Sequence, residues 1–194
     1  MNQTETDRAV LREVLRSFPR SGVPPTLDEL RERLHLDSEK ILAALGHLQA
    51  SGFLRFDTKS ARITEAYPYS SFPTRHKVTL ADGREVYCMC AIDTFYVPFL
   101  NDSDVRIRSN CLHCETEVQL RVEGEEVSSV EPPDTVIWHS GAEYDCPNTN
   151  FFCNLDHLRA WRVRFPGERG QVCTVEDALA RGRKAVEQTR TLIG

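Results

Sequence analysis

From His76 to Val130 apolar and polar residues alternate with a period of two, interrupted at intervals by turn residues. That pattern suits half-buried strands joined by short connections and fits a helix poorly. His76 to Leu80 is one run, Asp82-Gly83 supplies a tight hairpin turn, and Glu85 to Cys90 returns. Val105 to Arg108 and Val118 to Val122 alternate likewise and are joined through Cys111-Leu112-His113-Cys114. Gly124 turns the chain into Val127 to Val130, and Thr135 to Trp138 follows Pro132-Pro133. The expectation is an antiparallel β meander of about six strands. On the return strand the pleat sends Val86, Cys88 and Cys90 to one face and Tyr87 and Met89 to the other.

The preceding stretch reads as helical. Asp7 to Phe18 carries Val10, Leu11, Val14, Leu15 and Phe18 on one face, and Pro19 to Pro25 interrupts it. Thr26-Leu27-Asp28-Glu29 is a capping box opening a short helix through about Leu34. Asp37 or Ser38 caps a third helix bearing Ile41, Leu42, Leu45 and Leu48, closed by Gly52. Phe53 to Phe56 and Arg62-Ile63 make a small β wing. The predicted class is α+β: a winged-helix-like unit over residues 1–66, then an antiparallel β-rich domain with flanking helices over 67–194. Tyr67 to Thr74 reads as a linker, and Phe95 to Leu100 as an apolar helical or turn segment stopped near Pro98. Residues 139–150 read as a polar loop with His139, Cys146 and Asn148. Asp156 to Arg164 is expected to be helical, and Thr174 caps a last amphipathic helix.

The formal charge is −5, so electrostatics points to neither nucleic acid nor a membrane surface. The third helix offers Lys40 and His47 but also Glu39, and Asp28, Glu29 and Glu32 crowd the helix before it. That balance argues against a DNA reader and for a packing or lid role. Met1 to Asp7 is polar and acidic, unlike a signal peptide, and no run reaches the length of a membrane span, so a cytoplasmic location is expected. In that compartment seven cysteines are thiols, metal ligands or catalysts rather than a disulfide framework.

Tyr87-Cys88-Met89-Cys90-Ala91-Ile92-Asp93-Thr94 concentrates chemistry after the hairpin. If helix begins after Cys90, Cys90 and Asp93 share a face, and the positive helix end favours a Cys90 thiolate. The plainer alternative is a buried strand end with Asp93 as a cap. Cys111 and Cys114 have knuckle spacing, but a structural zinc needs two more ligands. Cys88-Met89-Cys90 is one residue too short, and Cys146 with Cys153 is not a usual pairing. No βαβ pattern supports a redox pair, so buried thiols are expected for Cys88, Cys111 and Cys173.

Several short motifs, in order, resemble the alkylmercury lyase (organomercurial lyase) family. They are Phe72-Pro73-Thr74 with His76, Asp82-Gly83, Tyr87, Cys90-Ala91-Ile92-Asp93-Thr94, and Pro98. Ser129-Val130-Glu131-Pro132, Phe152-Cys153-Asn154 with His157, and Val175-Glu176-Asp177-Ala178 extend the likeness over residues 66–186. The family also begins with a winged-helix-like region with no known need of DNA. The resemblance implies protonolysis of a carbon–mercury bond to a hydrocarbon and Hg(II). Cys90 and Cys153 would be the mercury-binding thiols and Asp93 the proton-handling carboxylate; all three would hold the Hg(II) product, and Cys111 would be structural. It implies no required cofactor, an organomercurial substrate, and cellular thiols or a mercuric reductase as acceptors of the product. Met89 stands where the family has tryptophan, Leu158-Arg159 where it has two phenylalanines, and residues 134–150 do not match. Those departures alter pocket walls and suggest one alternative, a lyase-like enzyme for a non-mercurial substrate; another is a metal sensor whose winged helix binds DNA and whose Cys90, Cys153 and Cys146 hold a metal without catalysis.

Overall fold

The computed structural model describes residues 3–140 and 146–193. Three helices lead: α1 (Gln3–Ser21), α2 (Leu27–Leu34) and α3 (Ser38–Ala50). α1 runs past the expected stop with Pro19 inside it. One ladder bond is forfeited near the end, and Gly22, at φ 76°, closes the helix by donating its N–H to the Phe18 carbonyl at 2.8 Å. The capping box at α2 is complete: Glu29 N–H donates to Thr26 Oγ1, and Thr26 N–H donates to Glu29 Oε2. Asp37 caps α3 by accepting from Lys40 N–H at 2.9 Å. Ile41, Leu45 and Leu48 face the core as expected, joined by Ala44, but Leu42 is 44% exposed. The cations of α3 are engaged within the chain, Lys40 with Asp37 and His47 with Asp7.

Strands β1 (Leu54–Asp57) and β2 (Arg62–Ala66) form the wing. The expected linker instead contains a short strand, β3 (Tyr69–Ser70), paired to β2 on one side and to β5 (Glu85–Cys88) on the other. Tyr69 explains why: it is fully buried and stacks on Phe18 of α1 at 4.8 Å. Adding β4 (His76–Leu80), β6 (Val105–Asn110), β7 (Glu117–Glu123) and β8 (Glu126–Glu131) gives one eight-stranded antiparallel sheet, ordered β1-β2-β3-β5-β4-β6-β7-β8. The wing and the central sheet are therefore continuous across residue 66, and one apolar core joins α1–α3 to the strands.

The meander stops at β8. Strand β9 (Val136–Ser140), which includes His139, leaves it and lies between β10 (Asn150–Phe152) and β11 (Gly170–Cys173) in a separate three-stranded sheet. Of the loop expected over 139–150, residues 141–145 lie outside the described residues. Pro98 sits in the first turn of α4 (Val97–Asn101) and starts that helix rather than stopping one, since an N-terminal proline lacks only an orphan N–H. Two helices complete the chain, α5 (Leu155–Arg164) and α6 (Val175–Ile193). Thr174 caps α6, its Oγ1 accepting from Asp177 N–H at 3.1 Å. The fold is α+β, and among the described residues no helix is long and apolar enough to cross a membrane.

Candidate active site

Beyond β5 the backbone turns helical at Ile92 (φ −65°, ψ −39°) and enters a 3-10 turn over Asp93–Phe95. The Thr94 hydroxyl donates to the Ala91 carbonyl at 2.7 Å. Ala91 N–H donates to the Thr149 carbonyl at 3.1 Å, which ties this turn to a second 3-10 turn, Cys146–Asn148. Thr149 N–H to the Cys146 carbonyl (3.0 Å) and Asn150 Nδ2 to the Pro147 carbonyl (2.8 Å) hold that second turn. The outcome is a trio: one ligand atom each from Cys90, Asp93 and Cys146, all within 4.8 Å of one another. The Cys146 thiol donates to Asp93 Oδ2 at 3.7 Å. α6 presses on the same turn at Gly182, where an added Cβ would stand 2.2 Å from the Phe95 carbonyl oxygen.

Cys90 and Asp93 are almost fully buried, and burial governs their chemistry. It pushes Asp93 up to about 7, against hydrogen bonds from Cys90, Cys146 and the Tyr67 hydroxyl that favour the carboxylate. Burial also raises the Cys90 thiol well above its ordinary value, with Cys146 and the Asp93 charge adding to the effect. The helix-end thiolate expected at Cys90 is thus reversed: a three-residue turn offers too little dipole to offset desolvation beside a carboxylate. At rest the Cys90 thiol keeps its proton, and Asp93 holds one in part near neutrality. Cys146, the half-buried member, lies on the wall of a cleft of about 620 Å³. Tyr67, Thr74 and Met89 line the cleft too, as do Phe53 and Arg55 from the wing region.

Thr74 and His76 serve as framework. Thr74 Oγ1 donates to the Cys88 carbonyl at 2.7 Å. His76 is buried against Ser109 (3.0 Å), and burial lowers its pKa to about 3, so its ring stays neutral.

Cys153 is placed elsewhere. β10 carries the chain from the Cys146 turn to Cys153, which joins Cys111, Cys114 and His157 in a second cluster, again with ligand atoms within 4.8 Å. The three residues named from the family resemblance are therefore not gathered into one group: Cys90 and Asp93 meet Cys146, and Cys153 meets the Cys111–Cys114 turn. The reason is local, because Leu112 N–H bonds the Phe151 carbonyl (3.0 Å) and Asn154 caps α5 through His157 N–H (2.9 Å). Within this cluster burial opposes ionisation of Cys114, but hydrogen bonds with Thr116, Cys111 and Cys153 bring it down to about 6. Burial, reinforced by Cys114 and Cys111, raises Cys153 to about 12. In the sequence Cys146 stood out only as a thiol of the unmatched loop and a candidate metal ligand beside Cys153, not as a partner of Asp93.

Comparison with known proteins decides the family. The family model described as MerB, alkylmercury lyase, matches residues 69–187, more than half of the chain. The chain belongs to the alkylmercury lyase family. It is 34% identical over 118 residues to the alkylmercury lyase of Bacillus cereus, covering 57% of this chain and 53% of that protein. It thus spans about half the length of that curated relative. The Streptomyces lividans alkylmercury lyase is 27% identical over 177 residues, covering 88% of this chain and 79% of the other. In fold the chain is similar to the mercury-bound form of MerB2, with TM-score 0.81 over 97% of this chain and 91% of that one, at 21% identity.

Proposed function

We propose that this alkylmercury lyase family member cleaves a carbon–mercury bond by protonolysis, with Cys90 and Cys146 as the sulfur ligands and Asp93 as the proton carrier. The carrying observation is a buried carboxyl, raised to about 7, in hydrogen-bonding reach of two thiols, one of which opens onto a cleft. Mercury(II) is soft and prefers thiolate, so R–Hg⁺ entering the cleft is met first by Cys146. Binding to mercury acidifies each thiol. One proton leaves to solvent, and the Cys90 proton passes to Asp93, whose raised pKa lets it accept and return a proton near neutrality. Two sulfur ligands increase electron density on the metal and weaken the Hg–C bond, and Asp93 delivers its proton to the carbon as that bond breaks. The balance is R–Hg⁺ plus two thiols giving RH, a mercury bis-thiolate and one H⁺. Small cellular thiols or a reductase then take the Hg(II), in line with a cytoplasmic setting; no other cofactor enters these steps.

Giving the purified protein phenylmercury with excess thiol and measuring benzene by gas chromatography tests the reading. Cys90→Ser, Cys146→Ser and Asp93→Asn should each lower turnover by orders of magnitude, the acid alone contributing roughly 10²–10⁴-fold. Loss of benzene in Cys153→Ser with full release in Cys146→Ser would return the second sulfur to the residue the resemblance indicated. Tight mercury binding with no benzene from the wild type would refute the lyase reading.

A further inference from the structure

The second thiol cluster is built from three segments that the mercury chemistry proposed above does not use. Cys111 and Cys114 flank a tight turn, closed by Glu115 N–H donating to the Cys111 carbonyl at 2.9 Å with Glu115 left-handed at φ 59°. Cys153 directly follows β10, and His157 lies in the first turn of α5. Cys114 Sγ and Cys153 Sγ are 3.6 Å apart, and Cys111 Sγ is 3.6 Å from His157 Nδ1. A tetrahedral zinc with Zn–S near 2.3 Å and Zn–N near 2.0–2.1 Å requires S···S edges of about 3.8 Å and S···N edges of about 3.6 Å. Both edges match without rearrangement. The same 3.6 Å is far too long for a disulfide, whose sulfurs sit at about 2.05 Å.

We infer that Cys111, Cys114, Cys153 and His157 form a tetrahedral zinc site that staples the turn between β6 and β7 to β10 and α5. Three thiolates and one imidazole make a closed set that leaves no open position, the pattern of a structural zinc rather than a catalytic one. The surroundings call for such a staple. Beneath the cluster lies a satellite core of Trp138, Phe152, Leu158 and Trp161 with Cys111 and Cys153, separate from the main core. So small an apolar group gains from a metal that binds only when all three segments are in place. The His113 ring lies 5.1 Å from the His157 ring.

The test uses the full chain, purified under reducing conditions from zinc-supplied cells. Elemental analysis should find one zinc per chain. Exchange with cobalt(II) should produce tetrahedral d–d bands and thiolate-to-cobalt charge transfer. Cys114 is exposed, so Cys114→Ser spares the satellite core. It should weaken metal affinity, by competition with a chromophoric chelator, more than the roughly 10–100-fold lost with a supporting hydrogen bond, and remove part of the charge-transfer band. Cys146→Ser should keep the zinc and an unchanged cobalt spectrum, which separates this site from the mercury trio whatever the activity. A folded, fully reduced wild type that takes up neither metal stoichiometrically overturns the inference. So does zinc that leaves with Cys146→Ser but stays with Cys114→Ser, or a Cys114–Cys153 disulfide in the native protein.

Discussion

Replacing Asp93 with Asn removes a buried ionisation, and the pH dependence of stability should register its loss. Asp93 is 1% exposed, and burial raises its pKa from 3.8 to about 7. For a carboxyl raised on folding, the favourable contribution is complete below the unfolded pKa and is lost as pH climbs to the folded one. With about 1.36 kcal/mol per pKa unit, the loss is about 1.7 kcal/mol at pH 5 and about 4 kcal/mol at pH 8. Asn has no proton to lose and escapes both. Its stability relative to wild type should therefore improve by about 2–3 kcal/mol between pH 5 and pH 8. Urea unfolding with reductant at the two pH values measures this directly; heat unfolding should show the same gap as about 5–10 °C for a chain of this size. Any fixed penalty from the amide cancels in the comparison. A gap that stays constant, or that narrows at pH 8, would falsify the raised carboxyl. It would mean that donation from Tyr67, Cys90 and Cys146 outweighs desolvation and that Asp93 is ionised throughout.

Two further substitutions probe the supports. Gly182→Ala gains up to about 1 kcal/mol of helix propensity but drives a methyl into the Phe95 carbonyl, and overpacking of about 1–3 kcal/mol should win. Because Phe95 ends the turn that Asp93 begins, benzene release should fall along with the melting temperature; a stabilised, fully active variant would refute that coupling. Thr26→Ala breaks the capping box and should cost about 1 kcal/mol in urea unfolding while leaving benzene release intact, since α2 supplies no residue to the trio or the cleft lining.

The hairpin around Asp82-Gly83, the boxes at Thr26 and Thr174, and the pairing of Cys90 with Asp93 were readable because each depends on residues a few positions apart. The departure of β9 was not. Thr135 to Trp138 alternates in the same way whether its neighbour is β8 or β10, and the choice rests on partners distant in the chain. The position of Cys146 follows from that choice, because β10 and the Thr149 carbonyl carry it to Asp93 from fifty-three residues away. The Cys111/Cys114 and Cys153/His157 spacings were both visible, two and three residues intervening. What was missing was the Leu112–Phe151 bond that brings them face to face. Tyr67 to Thr74 looked like a linker because a two-residue strand has almost no periodicity; the buried Tyr69 ring holds it in the sheet.

The sheet that runs unbroken from the wing into the core divides the cleft between two parts of the chain. The turn that holds Cys90 and Asp93 lies inside the family model's match, which begins at residue 69. Phe53 and Arg55, which also line the cleft, lie ahead of that match, and the β2–β3–β5 ladder ties their end of the sheet to β5. The cleft lining and the trio thus come from different stretches of the chain that one sheet joins. On the proposed lyase reading, exchange of Phe53 or Arg55 should change which organomercurials release hydrocarbon while the need for Asp93 stays.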